Sequence, residues 1–312
     1  MRPTPSLSHG FTLIELMISL VLGLLISAAV IQIYLVNART SATQQSGSEL
    51  QDASMFGLQQ LENKLRIANL GNNITAIDNK TVGGGIVLSP VNIGLPKENT
   101  VYAKFLTHTA GDSGFTSTSS IASVNGDQLT IQYTNITGEV LSDCESADVV
   151  KDEIAIERYF LRSSTTSGQG LVLACDAGRI SGGVITNLST NYQTGGSELI
   201  MGVDQFKVLL GTQTNAVGAA GVMRYFTSAD YLNDITTPAP KPAITAVKIG
   251  LIVRGSTPVV GSSTKTTFSL LGQDYTLKSG EPNQVRTTYE STTLLRNARV
   301  VNVDISADLA GN

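Results

Sequence analysis

From Phe11 to Val36 the chain reads FTLIELMISLVLGLLISAAVIQIYLV, an apolar run interrupted only by Thr12, Glu15, Ser19, Ser27 and Gln32. Coiled as a helix, Leu16–Val36 spans about 31 Å, which matches the hydrocarbon core of a bilayer. The pattern predicts a transmembrane helix over residues 11–36. Arg2 is the one firm positive charge ahead of it. By the positive-inside rule it holds residues 1–10 in the cytoplasm and leaves the rest of the chain in the periplasm. The helix is expected to continue outside the membrane over residues 37–70. No proline occurs between Pro5 and Pro90, and Leu50, Leu58, Leu61, Leu65 and Ala68 recur near one helical face. Gly71 with Asn72 is the expected C-cap. Gly47 and Gly57 each weaken the helix by about 1 kcal/mol relative to Ala, so a bend or fraying is expected near one of them.

From Gly71 onward the pattern changes to short strand-like runs between Gly, Ser, Asn and Asp. Ile86–Leu88 and Val101–Leu106 come first. Ile121–Val124 and Gln128–Tyr133 flank Asn125-Gly126, a pairing suited to a type I′ hairpin. Ile154–Leu161 and Leu171–Ala174 lie on either side of a Ser/Thr/Gly turn, followed by Val203–Leu210, Val222–Phe226 and Thr245–Arg254. In the last run Val247, Ile249, Leu251 and Val253 alternate with Lys248, Gly250, Ile252 and Arg254, the pattern of a strand with one core face. Thr287–Val303 suits either a strand or a short helix. Segments 211–221 and 236–242 read as loops. The expected fold class is α+β, a long N-terminal helix packed on a β-rich globular domain over residues 71–312.

Composition adds the compartment. Only 15% of residues are charged, against roughly 25% in an average globular protein. Ser, Thr, Asn, Gln and Gly take their place, as in secreted, turn-rich domains. A net charge of −4 leaves no electrostatic footprint for nucleic acid, and no nucleic-acid partner is expected.

An ordinary secretory signal has a basic start, 7–15 apolar residues and an A-x-A-like cleavage site; this apolar run is too long for that. A plain signal anchor leaves Glu15 unexplained, because a carboxylate in an apolar span costs up to about 2.5–3.5 kcal/mol at the helix centre. Gly10-Phe11-Thr12-Leu13-Ile14-Glu15-Leu16 resembles the class III leader of type IV pilins and type II secretion pseudopilins. The resemblance implies cleavage by prepilin peptidase between Gly10 and Phe11, then N-methylation of the new Phe11 amine. It also implies a filament contact in which Glu15 meets the Phe11 amine of a neighbouring subunit. Both charges are expensive in a low-dielectric core unless paired, so the pair would set the register of assembly.

Later segments extend the likeness. Val203-Asp204-Gln205-Phe206-Lys207-Val208, Arg224-Tyr225, Ala246 to Arg254 and Leu294-Leu295-Arg296-Asn297 are similar to the C-terminal region of PilW-type minor pilins. That family implies other minor pilins and the major pilin as partners, an initiating complex at the filament tip, and a path from the inner membrane to the pilus and cell surface. Twitching, adhesion and DNA uptake are the activities such a complex serves. The alternatives are a J-type pseudopilin of a type II secretion system, and a signal-anchored periplasmic binding protein or enzyme.

Cys144 and Cys175, 31 positions apart, are expected to form a disulfide in an oxidising compartment. Closing that loop stabilises by roughly 3–4 kcal/mol in the chain-entropy model. The bridge is expected to staple the 154–161/171–174 hairpin. Asp143, Glu145, Asp148, Asp152 and Glu153 lack the spacing of a calcium loop and read as a solvated acidic loop. With His9 in the leader, His108 stands alone, and no catalytic arrangement can be assembled from sequence around it. Gly83-Gly84-Gly85 lacks the Lys-Ser/Thr of a phosphate loop. The chain is therefore expected to have no catalytic residues, no metal site and no cofactor.

Overall fold

The computed structural model describes residues 10–110, 117–166, 168, 170–213, 223–233, 241–258 and 265–299, without the side chains of 49 and 52–54. Residues 1–9 of the leader, 214–221 and 236–240 of the two expected loops, and 300–303 of the tail lie outside the described residues.

Leu13–Ile67 form one 55-residue helix, α1, about 80 Å long. It runs unbroken through Gly47 and Gly57, so the helix does not fray at either. Gly57 is buried, and a Cβ there would collide with the Ile200 side chain and lie 3.1 Å from the Leu199 carbonyl. This glycine serves close packing. The helix also stops earlier than Gly71 suggests. Ala68 turns the chain out at ψ 142°, and Asn69 takes the left-handed conformation at φ 65°. Asn tolerates that region because its short side chain bonds locally; here the Asn69 amide donates to the Ile74 and Asn297 carbonyls.

Two 3-10 turns follow, Pro90–Ile93 and Ala103–Phe105. The second replaces the strand expected over 101–106. Its three-residue period brings Tyr102 and Phe105 onto one side, with ring centroids 6.0 Å apart. The strands are β1 (Leu129–Thr134), β2 (Leu141–Ser142), β3 (Asp148–Val149), β4 (Ile154–Ser163), β5 (Leu171–Ser181), β6 (Val184–Thr186) and β7 (Ser197–Met201). After them come β8 (Val203–Gln213), β9 (Met223–Phe226), a short helix α2 (Ser228–Asn233), β10 (Ala243–Pro258), β11 (Thr267–Leu270), β12 (Gln273–Thr276) and β13 (Gln284–Leu294). The tail therefore resolves as a strand as far as Leu294.

All pairings are antiparallel. One sheet has the order β1-β4-β5-β6, with β7 also on β5; the other has the order β13-β10-β8-β9. Two small ribbons, β2–β3 and β11–β12, stand apart. The main core is shared by both sheets and the helix, through Leu61 and Leu65 of α1, Ile131, Leu173, Phe206 and Val247.

The Asn125-Gly126 hairpin does not form. Ser120 N donates to the Asp204 carbonyl, Asp127 N donates to that of Phe206, and Gly126 N donates to Thr118. The segment thus covers the edge of β8, whose carbonyls need donors once buried. Ile121 instead bridges Leu277 in a second core cluster with Ile252, Phe268, Leu270 and Tyr275. That cluster corrects the reading of β10 as a strand with one core face, since the β11–β12 ribbon covers Ile252 on the other side.

Candidate assembly surface

The start of α1 is built by a reciprocal cap. Thr12 is extended, at ψ 151°, and its hydroxyl accepts from Glu15 N at 3.3 Å. Glu15 Oε2 accepts in return from Thr12 N and Thr12 Oγ1, each at 2.9 Å. Thr12-Leu13-Ile14-Glu15 is the S/T-x-x-E capping box. Glu15 thus has a local role that membrane burial alone does not reveal, although its four-residue signature is legible in the sequence. Gly10 and Phe11 lie immediately ahead and are exposed.

Every residue from Gly10 to Ser41 is exposed, and the stretch Leu13–Ser48 is long and apolar enough to cross a membrane. Each large apolar side chain left in water forgoes roughly 1.5–3 kcal/mol of burial, so this surface belongs in lipid or against other helices. The first buried residue of α1 is Ser46, which packs on Gly255 of β10. Val36 and Ser46 are thus separated by about 15 Å of helix, enough to carry the chain through the headgroup layer before the globular head begins.

Polar ties hold the far half of α1 to its seat, beside the apolar face of Leu50, Leu61, Leu65 and Ala68. Ser291 Oγ of β13 donates to Glu62 Oε1. Lys64 Nζ donates to the Ser142 carbonyl and lies 3.4 Å from Glu157 Oε1 on β4. Asn297 Nδ2 reaches the last helical carbonyls, nearest Ala68 O at 3.2 Å. Asn69 returns the contact to Asn297 O at 2.7 Å. Glu157 is fully buried and accepts from Tyr133 Oη at 3.0 Å and Tyr159 Oη at 2.5 Å. Burial pushes its carboxyl up, while Lys64 and the two hydroxyls pull it back. None of Lys64, Glu157 or Asn69 stands out in the sequence, because each becomes a partner only when distant segments meet.

The C-terminal motif residues turn out to be framework. Asp204 is buried between Arg286, with Nε–Oδ2 at 2.6 Å, and Arg254, at 3.6 Å. Lys207 Nζ meets buried Asp127 at 2.5 Å. Leu295 is in the core, and Leu294 is exposed. Arg224 and Tyr225 are exposed on β9.

Cys144 and Cys175 form a disulfide, with Cα atoms 6.2 Å apart. It does not bracket the β4–β5 hairpin as expected. Cys175 sits inside β5, opposite Tyr159, and the bridge ties the β2–β3 ribbon to the sheet. The acidic segment beside it is also less solvated than its composition suggests. Asp143 is buried, accepts from Glu145 N and Ala147 N at 2.9 Å each, and pairs with Arg179 Nη1 at 2.8 Å. Glu157 Oε and the two sulfurs lie within 4.8 Å of one another; with both sulfurs in the disulfide, that trio offers a metal one ligand. His108 is half-buried, with Nε2 2.6 Å from the Ala103 carbonyl.

Comparison with known proteins agrees with this anatomy. A family model of the prokaryotic N-terminal methylation motif matches residues 6–31. The model of Type IV Pilus-assembly protein W matches residues 158–297, from β4 to the Asn297 cap, and includes Asp204, Lys207 and Arg254. No curated protein matches the chain. Among solved structures, the type IV-like pilin TTHA1219 from Thermus thermophilus aligns with 80% of this chain and 100% of its own, at 13% identity and a TM-score of 0.39. With a methylation motif at its head, a membrane-length apolar helix and the assembly-protein match over its second half, this chain is similar to type IV pilin-like proteins of the PilW family.

Proposed function

We propose that the chain is a minor pilin that primes type IV pilus assembly from the inner membrane, within a tip complex of other minor pilins beneath which the major pilin adds. The observation that carries this reading is the fully exposed apolar half of α1, headed by Gly10-Phe11 and carrying one carboxylate, Glu15, near its start. Prepilin peptidase cuts between Gly10 and Phe11, and the Phe11 amine is N-methylated. The head then stands in the periplasm, and α1 exchanges lipid for neighbouring helices as the subunit enters the filament. Packing drives that exchange, and pairing of Glu15 with a neighbour's Phe11 amine sets the register. The capping box prepares Glu15 for this by holding its carboxylate at the helix start. The pilin family works through structure rather than catalysis, and the match over 158–297 supports a pilus role over a J-type place in secretion.

Intact-mass and N-terminal analysis of the membrane-extracted protein, with and without the host's prepilin peptidase, tests the first step. A mature chain starting at Phe11 with one added methyl group is expected. A chain that keeps its leader when the peptidase is present overturns the reading. Glu15→Val is expected to leave processing intact and to abolish recovery of the subunit in sheared pili. Recovery at the wild-type level would remove Glu15 from the register role.

A further inference from the structure

Lys64 has partners on two separate parts of the head. Glu157 belongs to the main sheet, and the Ser142 carbonyl belongs to the β2–β3 ribbon. That ribbon has two residues in each strand, too few to hold a shape by themselves in water. Its position comes from attachments to the main sheet. The Cys144–Cys175 disulfide, the Asp143–Arg179 ion pair and the Ala177 N donation to Glu145 Oε2 at 2.8 Å tie its turn to β5, while buried Val149 packs with Tyr133 and Ala155 and its carbonyl accepts from Asn135 Nδ2 at 2.8 Å. Cys144 lines a polar cleft of about 220 Å³ that also touches Gln60 of α1 and Ser197 and Glu198 of β7. Cys175 is fully buried, so a reagent approaches the bridge from the Cys144 side, next to the helix.

We propose that the Cys144–Cys175 disulfide controls how firmly the last turns of α1 are seated, through the ribbon carbonyl that Lys64 grips. With the bridge closed, Ser142 O is fixed beside Glu157, and Lys64 is held in a two-point clamp. With the bridge open, the β3 side stays anchored through Val149, the β2 side that carries Ser142 loses its covalent tie, and the clamp loses one jaw. Water then reaches the Lys64–Glu157 pair, which is stabilised by exclusion of solvent. Because α1 carries the membrane-length segment, the redox state of one buried bridge is transmitted to the element that holds the head. This holds whichever machine the subunit serves.

A small dithiol performs the opening. One reagent thiolate attacks Cys144 Sγ, Cys175 leaves as a thiolate and takes a proton, and the second reagent thiol closes the reagent's own disulfide and releases Cys144. Two electrons and two protons pass to the cysteine pair.

The test is amide exchange read by mass spectrometry on the full chain in detergent, oxidised and after dithiothreitol. Reduction is expected to speed exchange in residues 141–149 and also in 61–67 of α1, each by at least about threefold, with β8 and β10 unchanged. In Lys64→Met, reduction is expected to speed the ribbon alone. Acceleration of the ribbon without the helix in the wild-type chain overturns the proposal, as does an equal response of the helix in Lys64→Met. Acceleration of all segments together also overturns it, because the bridge would then serve global stability. Cys144→Ser/Cys175→Ser should reproduce the reduced pattern; if that variant does not fold, the measurement on folded protein with dithiothreitol still decides.

Discussion

Asn297 and Asn69 close the far end of α1 by exchanging side-chain and main-chain contacts. Asn297 Nδ2 approaches the Arg66, Ile67 and Ala68 carbonyls, while Asn69 Nδ2 donates to Asn297 O at 2.7 Å. The last carbonyls of a helix have no partner within it, and here a residue 229 positions away from Ala68 supplies one. The helix that leaves the head toward the membrane is therefore locked by the last described turn of the chain.

Asn297→Ala should lower stability by about 1–2 kcal/mol, the loss of a cap together with buried carbonyls left unmet. Denaturant midpoints of the full chain in detergent measure it. Leu294→Ala, at a side chain 63% exposed, should stay within about 0.5 kcal/mol of the wild type. Equal effects of the two would refute the capping role.

Gly47 and Gly57 should respond in opposite directions. A Cβ at Gly47 meets nothing within 4 Å, so Gly47→Ala should stabilise by up to about 1 kcal/mol through helix propensity. Gly57→Ala gains the same propensity but drives a methyl into Ile200, and overpacking costs about 1–3 kcal/mol. A net loss is expected there, with partial recovery in Gly57→Ala/Ile200→Val. The readout is the thermal midpoint of each variant.

Asp176 should give stability a slope with pH. Burial pushes its carboxyl up to about 6, while Arg158 and the Ser189 amide resist the rise. The folded chain then holds this proton to higher pH than the unfolded chain, so between about pH 4 and 6 the folded state binds more protons. Stability from this group is greatest below that window and falls as pH rises through it. The difference between wild type and Asp176→Asn should therefore shrink, or turn against the wild type, from pH 4 to 6 and level off above. A difference that grows in favour of the wild type over that range would mean that Arg158 outweighs burial.

Removal of the exposed half of α1 should free the head from detergent. Since Ser46 is the first buried residue of the helix, a chain beginning there should be soluble and monodisperse by size-exclusion chromatography. A chain beginning at Phe11 should aggregate without detergent or lipid. Aggregation of both would place the apolar liability in the head.

What the sequence determined by itself is whatever depends on neighbours in the chain. The Gly10-Phe11 to Glu15 motif, the length of the apolar run, the helical face from Leu50 to Ala68, and the β4, β5, β8 and β10 runs are all encoded in local order and period. Period states which side of an element is to be buried, but it does not name the partner. Tertiary structure alone decided that Asn125-Gly126 covers the edge of β8 instead of turning a hairpin, because buried carbonyls there outbid the local turn preference. It also decided that Ile252 is covered by β11–β12, that Asp143 is drawn inside by Arg179, and that the disulfide holds a ribbon. The seat of α1 is of the same kind. Lys64, Glu157 and Asn297 are unremarkable where they stand in the chain, and only long-range packing brings a buried charge, its counter-charge and a helix end within hydrogen-bonding reach.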